Sequence, residues 1–251
     1  MKTMLSEVDL ILPNWPAPAN VKAIQTTRKG GTSHAPYDSL NLGTHVEDSP
    51  MQVERNRQLL NRYVPTEPVW LNQVHSTVVV NAGATTCVPD ADASYAKVKN
   101  TVCVAMTADC LPVLFCNFAG TAVAATHAGW RGLCDGIIEA TLVALGEPPE
   151  SLMAWLGPAI GPQAFEVGAE VREEFIDQHS DAVSAFVPTT DGKWLGNMYL
   201  LAQQRLNRAG VRAIFGGGID ETFCTYTDAE RFFSYRRDGK TGRMASLIWL
   251  E

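Results

Sequence analysis

Hydrophobic patterning is clearest at the centre of the chain. Residues 101–107 (TVCVAMT) are almost continuously apolar and β-rich, as a strand covered on both faces would be. Ala108-Asp109-Cys110-Leu111-Pro112 interrupts the run, and because proline has no amide to give to a ladder, the break is predicted to extend through Pro112. Residues 113–116 read as a second strand, 117–120 as a turn and 121–126 as a third strand, which His127-Ala128-Gly129 then leaves. From Trp130, the side chains Leu133, Ile137, Ile138, Thr141, Leu142 and Leu145 recur at helical spacing, predicting one helix that stops at Gly146 with Pro148 beyond it. A strand follows at 153–156, then the stiff loop Gly157-Pro158-Ala159-Ile160-Gly161-Pro162. Val167, Val171 and Phe175 predict a second helix, and Asn197 is placed to cap a third that ends at Ala209-Gly210. Strands at 211–215 and 245–250 close the chain. Strands outnumber helices but alternate with them in places, so the expected class is α+β, with mixed sheets flanked by helices.

Composition narrows the function. The 251 residues carry Lys+Arg 20 against Asp+Glu 27, a formal net charge of −7, which argues against a nucleic-acid partner needing a clustered cationic face. No repeat, low-complexity tract or linker divides the sequence, so residues 1–251 are expected to form a single domain. No apolar run approaches the roughly 18 residues of a membrane helix, and the stretch Leu10, Ile11, Leu12 stops at Pro13 without a secretory core. A cytoplasmic location away from membranes is therefore expected. The 6 cysteines form no CxxC pair and no finger spacing, so most are expected to pack as small core side chains.

Two phosphate-loop signatures fail. Gly239-Lys240-Thr241 resembles the end of a P-loop, but Ser234 stands where the first glycine belongs; Gly216-Gly217-Gly218 has no GxGxxG spacing. No GxSxG nucleophile elbow exists. The chemistry instead gathers on three residues at predicted sheet ends or loops. His75 precedes the β-branched run 77–80, Cys110 sits where one buried strand breaks, and His127 where another ends. One thiolate and two imidazoles form a good zinc set with a fourth position open for water or substrate. The same residue types also make a Cys110–His127 nucleophilic dyad, and the separations match no regular metal spacing, so separate core and surface roles stay open.

Arg131 lies in the first turn of the helix after His127, where free amides and an arginine together suit an anion; an ordinary exposed arginine is the plainer reading. Phe232, Phe233, Ser234, Tyr235, Arg236, Arg237 sets aromatics against paired arginines, suited to stacking a base or holding an anion, or simply a structural hairpin. Arg28 before Gly30-Gly31 and the polar loop Asn41-Leu42-Gly43-Thr44-His45 are candidates to line a cleft, although His45 beside Glu47 and Asp48 reads as solvated. His179, at a helix end beside Gln178 and Ser180, reads as a surface residue.

Taken in order, TTRKGGTS (26–33), SLNLGTHVEDSP (39–50), NQVHS (72–76), ADCLPVL (108–114), HAGWRG (127–132), GPAIGP (157–162) and FSYRRDGKTGRMAS (233–246) resemble the bacterial laccase-domain family. Members of that family are variously called polyphenol oxidase, purine nucleoside phosphorylase and peptidoglycan editing factor. The resemblance runs from about Thr26 to the C-terminus. It implies a single domain in an α/β/β/α layered arrangement, with zinc held by His75, Cys110 and His127. It also implies phosphorolysis of adenosine, inosine, guanosine and methylthioadenosine, plus adenosine deamination. Arg131 and Arg236 would then hold phosphate, and Gln73, Asn41 and Arg28 are further substrate-contact candidates.

The residues arbitrate among the family's labels. A multicopper oxidase surrounds several coppers with imidazoles, usually in HxH pairs, whereas this chain has 5 histidines and no HxH. A single copper on the same three ligands, with Met106 as a nominal axial ligand, is a further alternative that would give a polyphenol oxidase; zinc is favoured. The alternative enzyme is a hydrolase removing serine from a nucleotide-linked muramyl precursor, with Cys110 as nucleophile and His127 as base, or zinc-assisted. A zinc-stabilised interaction module is disfavoured, since structural zinc takes four protein ligands and no fourth is apparent.

Overall fold

The computed structural model describes residues 5–251. In chain order it begins with β1 (Leu10–Ile11), β2 (Val21–Thr26), α1 (Pro50–Leu60), β3 (Val79–Asn81), β4 (Ala93–Ala96) and β5 (Cys103–Thr107). The central part comprises β6 (Leu111–Asn117), β7 (Val123–Ala128), α2 (Trp130–Asp135), α3 (Ile137–Leu145) and β8 (Leu152–Leu156). Then come β9 (Glu166–Val167), α4 (Ala169–Gln178), β10 (Phe186–Pro188), β11 (Trp194–Gly196), α5 (Met198–Arg208), β12 (Ala213–Gly216), α6 (Tyr235–Asp238) and β13 (Met244–Leu250).

Two sheets form the body. One has the order β1-β2-β13-β5 and the other β12-β8-β6-β7-β4-β3; a small third sheet, β10-β11-β9, lies beside them. The four-stranded sheet is antiparallel throughout, while the six-stranded one mixes antiparallel pairs with parallel β12–β8 and β3–β4. Side-chain alternation stacks these layers. On β5, Cys103 and Ala105 join the core shared with β6 and β7, whereas Val104 and Met106 join a second cluster with Leu59 and Leu60 of α1. On β13, Ile248 and Leu250 take the first side, and Leu247 and Trp249 the second. Ile137, Ile138 and Leu142 of α3 cover the other face of the six-stranded sheet. The order is therefore helix, sheet, sheet, helix, in an α+β fold.

The local differences from the sequence reading have physical causes. Pro112 lies inside β6, opposite His127. Its carbonyl accepts from the amide of Gly157 (2.9 Å), so its missing N–H points to that same side, at the entry end of the strand where only one ladder bond is forgone. The long helix after Trp130 is two, broken at Gly136, whose φ of 102° is open to glycine and strained for other residues. Val167 is extended, and the helix that follows begins only at Ala169. Helix α1 escaped the pattern because its buried stripe is thin: Val53, Asn56, Leu59 and Leu60. Asn197 does cap α5, its side chain accepting from the amide of Leu200, and Gly146 ends α3 in the left-handed region. No helix among the described residues is long and apolar enough to cross a membrane.

Candidate active site

The break between β5 and β6 is the point where the chain leaves one main sheet for the other. Asp109 makes this turn with φ 95°, a left-handed conformation held from both sides: its carboxylate accepts from the Thr225 hydroxyl (2.5 Å) and the Arg236 amide (2.7 Å). Cys110 follows, at the mouth of the gap between the sheets. His127 is the penultimate residue of β7, and its ring comes from the neighbouring strand to meet the thiol. His75 arrives from the loop before β3, also left-handed at φ 61°.

These three side chains converge. One donor atom from each lies within 4.8 Å of the others, and Cys110 Sγ is 3.8 Å from His75 Nε2. The imidazole rings meet edge to face, with centroids 4.9 Å apart. Ligand atoms on a tetrahedral zinc lie roughly 3.3–3.6 Å apart, so closure around such an ion needs only small side-chain movements. Soft sulfur with two nitrogens also suits zinc better than a hard cation. Gly129 makes room for this meeting: a Cβ there would lie 2.6 Å from His75 Cδ2 and 3.2 Å from Cys110 Sγ.

Asp92, which the sequence reading passed over, organises the group. The carboxylate is fully buried and accepts from His127 Nδ1 (2.8 Å), the His75 amide (3.0 Å) and the Ser76 amide (2.5 Å) and hydroxyl (2.8 Å). Holding the proton on His127 Nδ1 leaves the Nε2 lone pair facing Cys110, free to accept a proton or bind a metal, the arrangement found behind metal-bound histidines. Burial would raise the Asp92 pKa, but the bonds from His127 and Ser76 outweigh it and pull the pKa down. Burial would likewise raise the Cys110 thiol, yet His127 and then His75 bring it below its usual value. For His127, burial disfavours the imidazolium, while Cys110 and Asp92 together favour it and raise its pKa. The two imidazoles thus favour the Cys110 thiolate over the thiol.

The triad forms the floor of a cavity of about 570 Å³, within the size range of small-molecule sites. Its walls include Ile160, Phe165, Trp130 and Tyr235 among the apolar groups, and Arg131, Arg236 and Arg243 among the cations. Arg131 is exposed and stacks on Trp130, 4.3 Å from the ring centroid. Arg236 donates to the Glu166 carbonyl (2.7 Å) and lies over Phe165. Gln73 reaches the wall, but its amide is committed at both ends to the Met106 backbone, at 2.8 and 2.7 Å, tying the His75 loop to β5. Met106 itself packs in the cluster beneath α1.

Other expected contacts lie elsewhere. Asn41 is fully buried, and its amide is consumed by Gly43, Asp48 and the Arg243 backbone, so it supports the wall without lining it. Arg28 belongs to a separate surface depression, where it donates to the Asp38 and Ala229 carbonyls and lies over Phe233. Phe232 and Phe233 are wholly buried core residues that cannot stack a base, and Arg237 is bound to the carbonyls of Thr225, Tyr226 and Phe232. His45 is exposed, in keeping with its reading as solvated, and it also lines the cavity. The signal for His45 and Arg243 was a polar residue beside a glycine-containing turn; for Asp92 it was a carboxylate entering an apolar strand.

A family model described as multi-copper polyphenol oxidoreductase laccase matches residues 22–251. The chain is 56% identical over 244 residues to the protein named purine nucleoside phosphorylase YfiH in Escherichia coli, covering 96% of this chain and 98% of that one. A Pseudomonas aeruginosa protein, also named purine nucleoside phosphorylase, is 54% identical over 242 residues, with coverage of 96% and 98%. Among solved structures, a Neisseria meningitidis protein superposes with a TM-score of 0.94 at 53% identity, covering 97% of this chain and 99% of its own. YlmD from Geobacillus stearothermophilus superposes at 0.86 with 27% identity, covering 100% and 99%.

Proposed function

This chain belongs to the multi-copper polyphenol oxidoreductase laccase family, the laccase-domain proteins, and within it we propose a zinc-dependent purine nucleoside phosphorylase. The observation that carries the proposal is the convergence of Cys110, His75 and His127 on the floor of a cavity walled by arginines and aromatics. The names given to relatives more than half identical over nearly their whole length support the same activity.

In phosphorolysis, an oxygen of hydrogen phosphate attacks the ribose C1′. The C1′–O bond forms as the C1′–N9 bond breaks, its electron pair moves into the purine, and the phosphate's proton ends on the released base. Ribose 1-phosphate is the other product. Charge leaves the phosphate and accumulates on the base, so the protein must orient both partners and stabilise that shift. Arg131 and Arg236 draw the phosphate into the cavity mouth, while Phe165, Ile160 and Tyr235 give the nucleoside an apolar wall. His75, Cys110 and His127 would hold zinc, which would supply Lewis acidity to the site. Asp92 fixes His127 and the His75 backbone in place. Adenosine, inosine, guanosine and methylthioadenosine are the proposed substrates, with adenosine deamination as a second activity of the site.

The proposal requires that ribose 1-phosphate form from inosine only when inorganic phosphate is present. Base release unaffected by phosphate would remove it. Release of serine from a nucleotide-linked muramyl precursor, without any purine release, would favour the hydrolase instead.

A further inference from the structure

We propose that Arg243 is the principal phosphate contact of this cavity and that, with His45, it forms an oxyanion subsite where the cavity meets a neighbouring depression. This inference rests on the phosphorylase reading and names the residues that select its second substrate. Arg243, His45 and Tyr235 line both the triad cavity and an adjoining hollow of about 300 Å³, whose remaining wall includes Thr241 and Lys240. The three are the hinge between the two spaces.

Arg243, which is half-buried, differs in its partners from Arg205, which is buried. Arg205 is paired with the Glu139 carboxylate at 2.9 Å. Arg243 donates only through Nη1, to the carbonyls of Thr241 (3.1 Å) and Gly242 (3.0 Å), and it forms no ion pair among the described residues. Its Nε and Nη2 donors are therefore free for a ligand. Burial works against its charge, and the nearby negative groups, Cys110 and Asp109, are already engaged with His75 and His127 and with Thr225 and the Arg236 amide. A partly buried cation without a bonded carboxylate is costly, and a doubly charged oxyanion offsets that cost with the bidentate geometry a guanidinium favours.

The position is built to be rigid. Arg243 immediately precedes β13, its amide donates to the buried Asn41 side chain (2.9 Å), and its carbonyl accepts from Leu42 (3.2 Å). Gly43 gives its stem room, since a Cβ there would lie 2.8 Å from Arg243 Cγ. Beside it Thr241 is 1% exposed, and its hydroxyl has no hydrogen-bond partner among the described residues. The one carboxylate on this rim, Glu47, is neutralised by Lys240 at 2.8 Å. By contrast, Arg131 and Arg236 are exposed and lean on aromatic rings, positions suited to capturing phosphate rather than fixing it.

The test uses the metal-loaded protein with inorganic phosphate as the probe, by calorimetry and by the phosphate dependence of inosine turnover. Arg243→Gln should weaken phosphate binding at least tenfold, Arg131→Gln by less, and Lys29→Gln, a surface charge control, not at all. Should Arg243→Gln fail to fold, Arg243→Lys keeps a cation without the fork and should weaken binding at least threefold. Unchanged binding in the folded Arg243 variant, a larger loss in Arg131→Gln, or no phosphate binding by wild type would overturn the assignment. If wild type binds phosphate through Arg243 yet releases no base, the subsite stands and the phosphorylase reading falls. If wild type is a phosphorylase and Arg243→Gln binds phosphate normally, the reverse holds.

Discussion

At the scale of single residues, Asp92 has the widest reach, because one carboxylate restrains two of the three donors. Asp92→Asn keeps the shape but removes the charge behind His127, and should weaken metal affinity by about 10–100-fold while leaving the fold intact, as metal titration against a chelator would read. A change under twofold would contradict the role. The same group gives a pH signature in metal-free protein. Its folded pKa is lowered, so the stability it contributes is present above the ordinary carboxylate value and is lost as pH falls through the folded one. The stability gap between wild type and Asp92→Asn should therefore be wide at pH about 5 and narrow as the pH falls below the ordinary carboxylate value. Denaturant melts at each pH check this, and a gap that widens toward acid would refute it. The triad was legible in the sequence because its residues stand where apolar runs break. Asp92 and Arg243 were not, since their roles arise from contacts across 35 residues for Asp92 and His127 and across 202 for Arg243 and Asn41.

The elements place these residues through a few backbone choices. Gly129, between β7 and α2, is the tightest. Gly129→Ala would drive a methyl into His75, so metal content should fall well below half of wild type, with the circular dichroism of the fold preserved; full metal loading would show that the loop yields. Asn197 caps α5 by a single side-chain bond, and Asn197→Ala should cost about 1 kcal/mol in denaturant unfolding without touching turnover. A loss of activity at unchanged stability would mean that α5 reaches the site in a way its position does not explain. Apolar strands β5, β6 and β7 and helix α5 could be read from periodicity and caps. The Gly136 break could not, because apolar spacing continues across it, and neither could α1, whose buried stripe includes the polar Asn56.

For the whole molecule, the consequence is that the site straddles a seam. His127 comes from the six-stranded sheet, Cys110 from the turn between sheets, and His75 from a loop tied by Gln73 to the four-stranded sheet. An ion bound there would add a link between the two layers, so its removal should lower the melting temperature by several degrees, and re-addition should restore it. The layering itself was implied by family resemblance and is explained by alternation on β5 and β13, which serve two apolar clusters at once. The proposed chemistry depends on one ion being shared by three side chains. Metal analysis of purified wild type beside Cys110→Ala reads this most directly. One equivalent per chain in wild type, falling to a small fraction in a variant that remains folded, is the expected result. Equal metal in both proteins, or none in wild type after growth with zinc, would contradict it.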